Sequence, residues 1–246
     1  MKRIYEGFAA AKVQQKKRFC LLIDPDKLAL KELDKLVELS NAAKVDAIFV
    51  GGSLIINDQL DALLLRIKSN SDIPTVLFPG SSRQLSYKAD GLLFLSLISG
   101  RNADLLIGKH VETAPFLKAS PLEVLPTGYM LIDGGVPTSV SYMSNTFPIP
   151  ANKNDIAVCT AMAGEMLGLR LIYMDAGSGA LNPVADSMIS AVSGAIDAPL
   201  IVGGGIRSPK IAVEKARAGA DAIVVGNAIE KSPNLILEIA AALHEI

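Results

Sequence analysis

Most of the residues that could do chemistry in this chain fall in three glycine-rich runs and two short polar ones. Val202-Gly203-Gly204-Gly205-Ile206-Arg207 leads into Ser208-Pro209, and Val225-Gly226-Asn227 leads into a helical pattern. Glycine lets backbone amides approach an anion closely, Ser208 can cap a helix with Pro209 at its first position, and unpaired amides at a helix start carry partial positive charge. This spacing points to a phosphate-binding constellation, although glycines after strands also serve as plain tight turns. A third run, Tyr173-Met174-Asp175-Ala176-Gly177-Ser178-Gly179-Ala180, sets a carboxylate beside another glycine-rich turn. Its amides and the Ser178 hydroxyl could hold the same phosphate while Asp175 accepts a proton. The plainer alternative is an Asp175 that caps its own turn and a Tyr173 that only packs.

Two further segments add a metal option. Ile23-Asp24-Pro25-Asp26-Lys27 offers carboxylates and Val50-Gly51-Gly52-Ser53 a hydroxyl. That is enough for Mg²⁺ that keeps waters and takes oxygens from a substrate diphosphate, and not enough for a structural zinc. Ordinary capping by Asp24, Asp26 and Ser53 competes with it. His110 falls within a helical pattern and His244 near the end of the chain. Both read as surface or packing residues, so triad chemistry is not expected. Cys20 and Cys159 sit in apolar stretches and read as buried, reduced thiols of a cytoplasmic protein.

Residues this scattered need a scaffold that gathers them. Eight short apolar, β-branched runs are predicted as strands: Phe19–Ile23, Asp46–Val50, Thr75–Phe78, Gly91–Leu95, Gly128–Ile132, Arg170–Met174, Leu200–Val202 and Asp221–Val225. Their lack of strict alternation suits strands buried on both faces. Helices are predicted over Lys27–Ala42, Asp58–Asn70, Ala103–Ala119, Asp155–Leu167, Pro183–Gly194, Pro209–Ala218 and Ala228–His244. Gly80–Asp90 is too short and polar for one, so the third helix is expected to be a loop. An amphipathic helix near Ile4–Lys16 would close the barrel bottom. The fold class is α/β, a closed (β/α)₈ TIM barrel over one domain, residues 1–246. Asp46-Ala47-Ile48-Phe49-Val50-Gly51 echoes Asp221-Ala222-Ile223-Val224-Val225-Gly226, which would occupy equivalent barrel positions. In such a barrel the loops after the strands build the site. Phe78-Pro79-Gly80 and the stretch from Phe94 to Asn102 are unusually apolar for that edge, so an extended hydrophobic substrate could lie there. The long excursion from Asp133 to Asn154 is a functional loop or a surface one.

Composition sets the outer bounds. The 246 residues carry 24 Lys and Arg against 25 Asp and Glu, a formal net charge of −1, which argues against nucleic acid as a partner. Half the residues are hydrophobic, and a chain of this size buries about 70% of its extended-chain surface without needing staples. Glu6, Gly7 and Lys12 interrupt any signal-peptide core, and the uncharged stretch from Gly134 to Asn152 is too rich in Ser, Thr, Asn and Pro to span a membrane. Lys12, Lys16, Lys17 and Arg18 form either a solvated helix face or a peripheral contact with anionic membrane.

The motifs LLIDPDK, FVGGS, LFPG, LFLSLISGRN, PTGYMLIDGG, LIYMDAGSGA, IVGGGIRS and VVGNAIE arrive in one order over most of the chain. Together they resemble the geranylgeranylglyceryl phosphate synthases and their bacterial heptaprenylglyceryl phosphate synthase relatives. The resemblance implies Mg²⁺-dependent transfer of a polyprenyl group from its diphosphate to the 3-hydroxyl of sn-glycerol 1-phosphate, forming an ether and releasing diphosphate. It implies Asp24 and Ser53 as metal positions. It implies Tyr173 to Gly179, Gly203 to Gly205, Gly226 and Asn227 as glycerol-phosphate positions, and a homo-oligomer. Asp175 is then the candidate base. Two positions depart from the pattern: the family usually carries Glu at 175, and some bacterial relatives carry Lys where Leu22 stands. Rival enzymes on the same scaffold are phosphometabolite isomerases and aldolases, which commonly need a site lysine or paired carboxylates; a noncatalytic phosphate-binding barrel is a third option.

Overall fold

The structure, a computed structural model, describes residues 4–28, 30–57 and 59–246. Eight parallel strands close into one barrel in chain order. They are β1 (Arg18–Ile23), β2 (Ala47–Val50), β3 (Thr75–Leu77), β4 (Gly91–Leu97), β5 (Glu123–Leu131), β6 (Leu171–Asp175), β7 (Leu200–Gly203) and β8 (Ala222–Val225). Each expected strand is present, with ends shifted by a few residues. The helices are α1 (Ile4–Val13), α2 (Leu30–Ala43), α3 (Leu60–Asn70), α4 (Lys109–Lys118), α5 (Ser139–Ser144), α6 (Asn154–Met166), α7 (Asp186–Ser193), α8 (Pro209–Arg217), α9 (Asn227–Lys231) and α10 (Leu235–His244).

Strand alternation divides the core in two. Cys20, Phe49, Val76, Leu93, Tyr129 and Tyr173 fill the barrel interior. Their neighbours Leu21, Ile48, Leu92, Met130 and Met174 face outward onto the helices. Fully burying each such aliphatic or aromatic side chain stabilises the fold by about 1.5–3 kcal/mol. The floor is closed by α1, whose Ile4, Phe8 and Ala11 are buried. Its first amides, of Ile4 and Tyr5, donate to the Glu123 carboxylate at 2.5 and 3.0 Å. The echo between the second and eighth strands has a physical basis at this end. Asp46 accepts from the Phe19 amide at 2.9 Å and Asp221 from the Leu200 amide at 2.8 Å. Asp90 does the same for the Thr75 amide, also at 2.8 Å. In each case a carboxylate just before one strand pins the start of the strand before it.

The helices depart from expectation in informative ways. The segment after β3 forms no helix, as anticipated. The last helix is broken into α9 and α10, with Pro233 at the gap, because proline lacks the amide a continuous helix would need. The fourth helix opens on a wide π turn, Asp104–Gly108. The excursion after β5 is less irregular than expected. Thr138 caps α5 with a reciprocal Thr138–Ser141 capping box, and Ile149 bridges to Ile132. The second expected helix begins at Leu60; Asp58 lies outside the described residues. Cys20 is buried as expected and its thiol pKa is driven up by desolvation, but Cys159 is exposed, because the surface face of α6 carries it. Among the described residues no helix is long and apolar enough to cross a membrane.

Candidate active site at the carboxyl end of the barrel

A cavity of about 1270 Å³ opens at the carboxyl end of the strands. It has two chemically distinct parts. Loops after β6, β7 and β8 supply a polar part through Gly177, Ser178, Gly204, Gly205, Gly226 and Asn227. Strands β3 and β4 with α4 supply an apolar arm through Phe78, Leu93, Phe94, Leu97, Thr113 and Leu117. The loop in place of a third helix leaves the space that the arm enters, and Gln84 and Leu85 from that loop line it.

In the polar part the residues are tied together. Asn227 Nδ2 donates to Ser178 Oγ at 2.9 Å, joining the sixth loop to the eighth. Gly204 has φ +81°, and a Cβ there would stand 2.6 Å from Asp175 Oδ1 and 2.7 Å from the amides of Ala176 and Gly177. Only glycine permits that approach of the sixth and seventh loops. At the start of α8 the expected cap is present: Ser208 accepts from the Ile211 amide at 3.3 Å and Pro209, which has no amide, takes the first position. After β8 the short helix α9 begins at Asn227, preceded by Gly226, in the position where many barrels carry a short extra helix.

Asp175 ends β6 and is buried, with 8% of its surface exposed. Its Oδ2 accepts from the Tyr129 hydroxyl and its Oδ1 from the Gly177 amide, each at 2.7 Å. Burial raises its pKa, and the two hydrogen bonds oppose the rise. Burial and the Asp175 charge push the Tyr129 phenol well above its ordinary value, so Tyr129 stays a neutral donor. Tyr173 stacks on Phe78 at 5.2 Å and meets Tyr129 edge-on at 5.5 Å. It both packs and lines the cavity.

Asp24 follows β1. Its Oδ1 accepts from the Asp26 amide at 3.1 Å and its Oδ2 pairs with Lys27 at 3.1 Å. A Cβ on Gly52 would sit 3.2 Å from Asp24 Oδ2, so the missing side chain keeps space open beside this carboxylate and next to Ser53. Asp26 also lines the cavity, with its carboxylate accepting from the amides of Ile56 and Asn57 at 2.6 and 3.0 Å.

Of the residues singled out in the sequence, Asp24, Ser53, Tyr173, Asp175, Gly177, Ser178, Gly179, Gly204, Gly205, Gly226 and Asn227 all line this one cavity. Met174 and Ala176 do not: they alternate with Tyr173 and Asp175 and so pack outward against the helices. Gly203 lies beneath Tyr173, where a Cβ would meet the phenol oxygen at 2.6 Å. The stretch from Phe94 to Asn102 splits, with Phe94, Leu95 and Leu97 on the arm and Ser99 to Asn102 on a separate pocket. His110 is no surface residue. It is buried on the arm, 4.3 Å from the Phe94 ring centre and 3.2 Å from Ser96 Oγ. Tyr129, Lys27 and Glu230 also face the cavity and were not among the expected residues.

Residues 12–243 match the PcrB family. The chain is 57% identical over 242 residues to the geranylgeranylglyceryl phosphate synthase of Chitinophaga pinensis, covering 98% of this chain and 96% of that protein. It is 50% identical over 234 residues to that of Spirosoma linguale, covering 95% and 94%. The crystal structure of (S)-3-O-geranylgeranylglyceryl phosphate synthase from Thermoplasma acidophilum, in complex with its substrate sn-glycerol-1-phosphate, is similar at a TM-score of 0.94 and 33% identity, over 100% of both chains.

Proposed function

The chain belongs to the PcrB family, and from that premise we propose that it is a prenyltransferase of the geranylgeranylglyceryl phosphate synthase type. It joins the 3-hydroxyl of sn-glycerol 1-phosphate to a long polyprenyl diphosphate, making an ether of the kind used in ether-lipid synthesis and releasing diphosphate. The observation that carries this reading is the cavity itself, where a polar, glycine-rich part and an apolar arm meet around two carboxylates, Asp24 and Asp175.

Each part has a role that follows from its chemistry. The loops carrying Ser178, Gly204, Gly205 and Asn227 hold the phosphate, fixing the glycerol so that its hydroxyl points toward the prenyl carbon. Asp175, buried and steadied by Tyr129 and Gly177, takes the hydroxyl proton as the C–O bond forms and the bond to diphosphate breaks. The stacked rings of Phe78 and Tyr173 line the cavity, and aromatic rings suit the cationic character an allylic carbon develops. The apolar arm takes the prenyl chain.

Mg²⁺ fits the donors present. Among the described residues no group of three or more His, Cys, Asp or Glu could hold a metal alone, so the ion would sit on Asp24 and Ser53 and complete its shell with water and diphosphate oxygens. When bound it neutralises charge on the departing diphosphate. An isomerase or aldolase leaves the arm without a purpose. The deciding experiment offers both enantiomers of glycerol phosphate with a ladder of prenyl diphosphates, with and without chelator. Product should form from the sn-1 enantiomer with Mg²⁺ present; turnover that ignores chelator removes the metal, and no product from any pair removes the reading.

A further inference from the structure

A phosphate ester at neutral pH carries close to two negative charges, and the cradle meets them mainly with neutral groups. The Gly177 amide is already given to Asp175, and the amides at Ser178, Gly204 and Gly205 bring partial charge only. Helix α9 is five residues long, little more than one turn of aligned dipoles. The neighbouring side chain on β1 is apolar: Leu22 Cβ lies 3.4 Å from where a Gly226 Cβ would be. Arg207 is turned to the carbonyl of Ala180.

Lys27 brings a full charge to this place. Its Nζ lies 3.1 Å from Asp24 Oδ2, 3.5 Å from Asn227 Oδ1 and 3.9 Å from Glu230 Oε2. The ammonium therefore bridges the first loop and α9, which are far apart in sequence. Two of these acceptors belong to substrate positions, Asp24 to the metal and Asn227 to the cradle through Ser178. The third, Glu230, is half-buried on the cavity side of α9, and Lys27 counters the desolvation of its carboxylate. An ammonium has three donors on a flexible four-carbon stem, so it can exchange one acceptor for another while keeping the rest. With its side chain 43% exposed, Lys27 has room to do so.

We propose that Lys27 is the phosphate-binding cation of this site: its ammonium leaves Asp24 for a phosphate oxygen of sn-glycerol 1-phosphate, while Glu230 holds the head group over Asn227. The proposal rests on the glycerol-phosphate function above. Glu230 is accordingly a positioning residue, and metal on Asp24 and phosphate on Lys27 suit one another.

The test is calorimetric titration of the metal-free protein with sn-glycerol 1-phosphate and, separately, with inorganic phosphate, alongside thermal melting. Lys27→Met should weaken both ligands by about tenfold or more, as loss of a charge-assisted hydrogen bond does. Lys27→Arg should recover most of that loss, and Glu230→Gln should lose part of it. Folded Lys27→Met protein that binds both ligands as tightly as wild type overturns the proposal. If that variant does not fold, Glu230→Gln decides, and unchanged binding overturns it. Wild type that binds phosphate in a Lys27-dependent way but neither glycerol phosphate enantiomer sinks the function and leaves Lys27 in its role. Wild type that binds no phosphate compound sinks both.

Discussion

Asp175 is the residue on which acid–base behaviour should turn. Its pKa is raised by burial, so as a base it loses activity when pH falls through that raised value. Asp175→Asn keeps the partners satisfied, since the amide can accept from Gly177 and donate to the Tyr129 oxygen, yet it should lower kcat by about 10²–10⁴-fold. Linkage gives an independent check. A carboxyl whose folded pKa is raised contributes stability that is full below the ordinary value of about 3.9 and is lost as pH rises through the folded pKa. The melting temperature of Asp175→Asn should therefore gain on wild type between acid and neutral pH, and a gap independent of pH would contradict the assignment. Asp24→Asn should fold normally and lose about 10²-fold or more of turnover; near-normal activity would remove Asp24 from the mechanism. The residue types were legible in the letters, but their directions were only partly so. Period-two alternation already separates Tyr173 and Asp175 from Met174 and Ala176. Nothing local says that Tyr129, on another strand, reaches Asp175, because that contact depends on barrel register.

Elements place those residues, and the informative ones are the elements that break pattern. The loop in place of a helix after β3 admits the arm, and that absence was visible in the polar run from Gly80 to Asp90. The break at Pro233 was equally written in the sequence, but a strong apolar period through Leu235–His244 obscured it. Two substitutions test the elements separately. Gly204→Ala forces a Cβ into the contact between the sixth and seventh loops at φ +81°. It should cost about 1–3 kcal/mol of stability and raise KM for glycerol phosphate. Thr113→Trp on α4 should instead fill the arm, raising KM for long prenyl diphosphates more than for short ones while calorimetric binding of glycerol phosphate stays unchanged. Equal losses for both substrates in either variant would mean that cradle and arm are not separable.

At the scale of the whole molecule the two ends of the barrel do different work. The bottom is packed and pinned: α1 plugs it, and Asp46, Asp90 and Asp221 hold strand starts. The top is open, and its loops carry the cavity. Composition showed a basic cluster at Lys12, Lys16, Lys17 and Arg18 but could not say which end it occupies. It lies at the closed end, where Lys12 pairs with Asp221 at 3.2 Å, Lys17 donates to the Ala220 carbonyl at 3.0 Å and Arg18 lies over the Phe8 ring. A prenyl chain delivered from a membrane must enter the arm at the other end. Charge at the bottom would hold an anionic bilayer away from the mouth instead of against it. Replacing the exposed Lys16 with Glu should therefore leave turnover of vesicle-borne prenyl diphosphate within about twofold of wild type, whatever the anionic lipid content, since a single surface charge far from the bilayer is screened within about 10 Å. A large, salt-sensitive loss of rate in that variant would place the membrane contact at the floor and require a different entry path for the lipid.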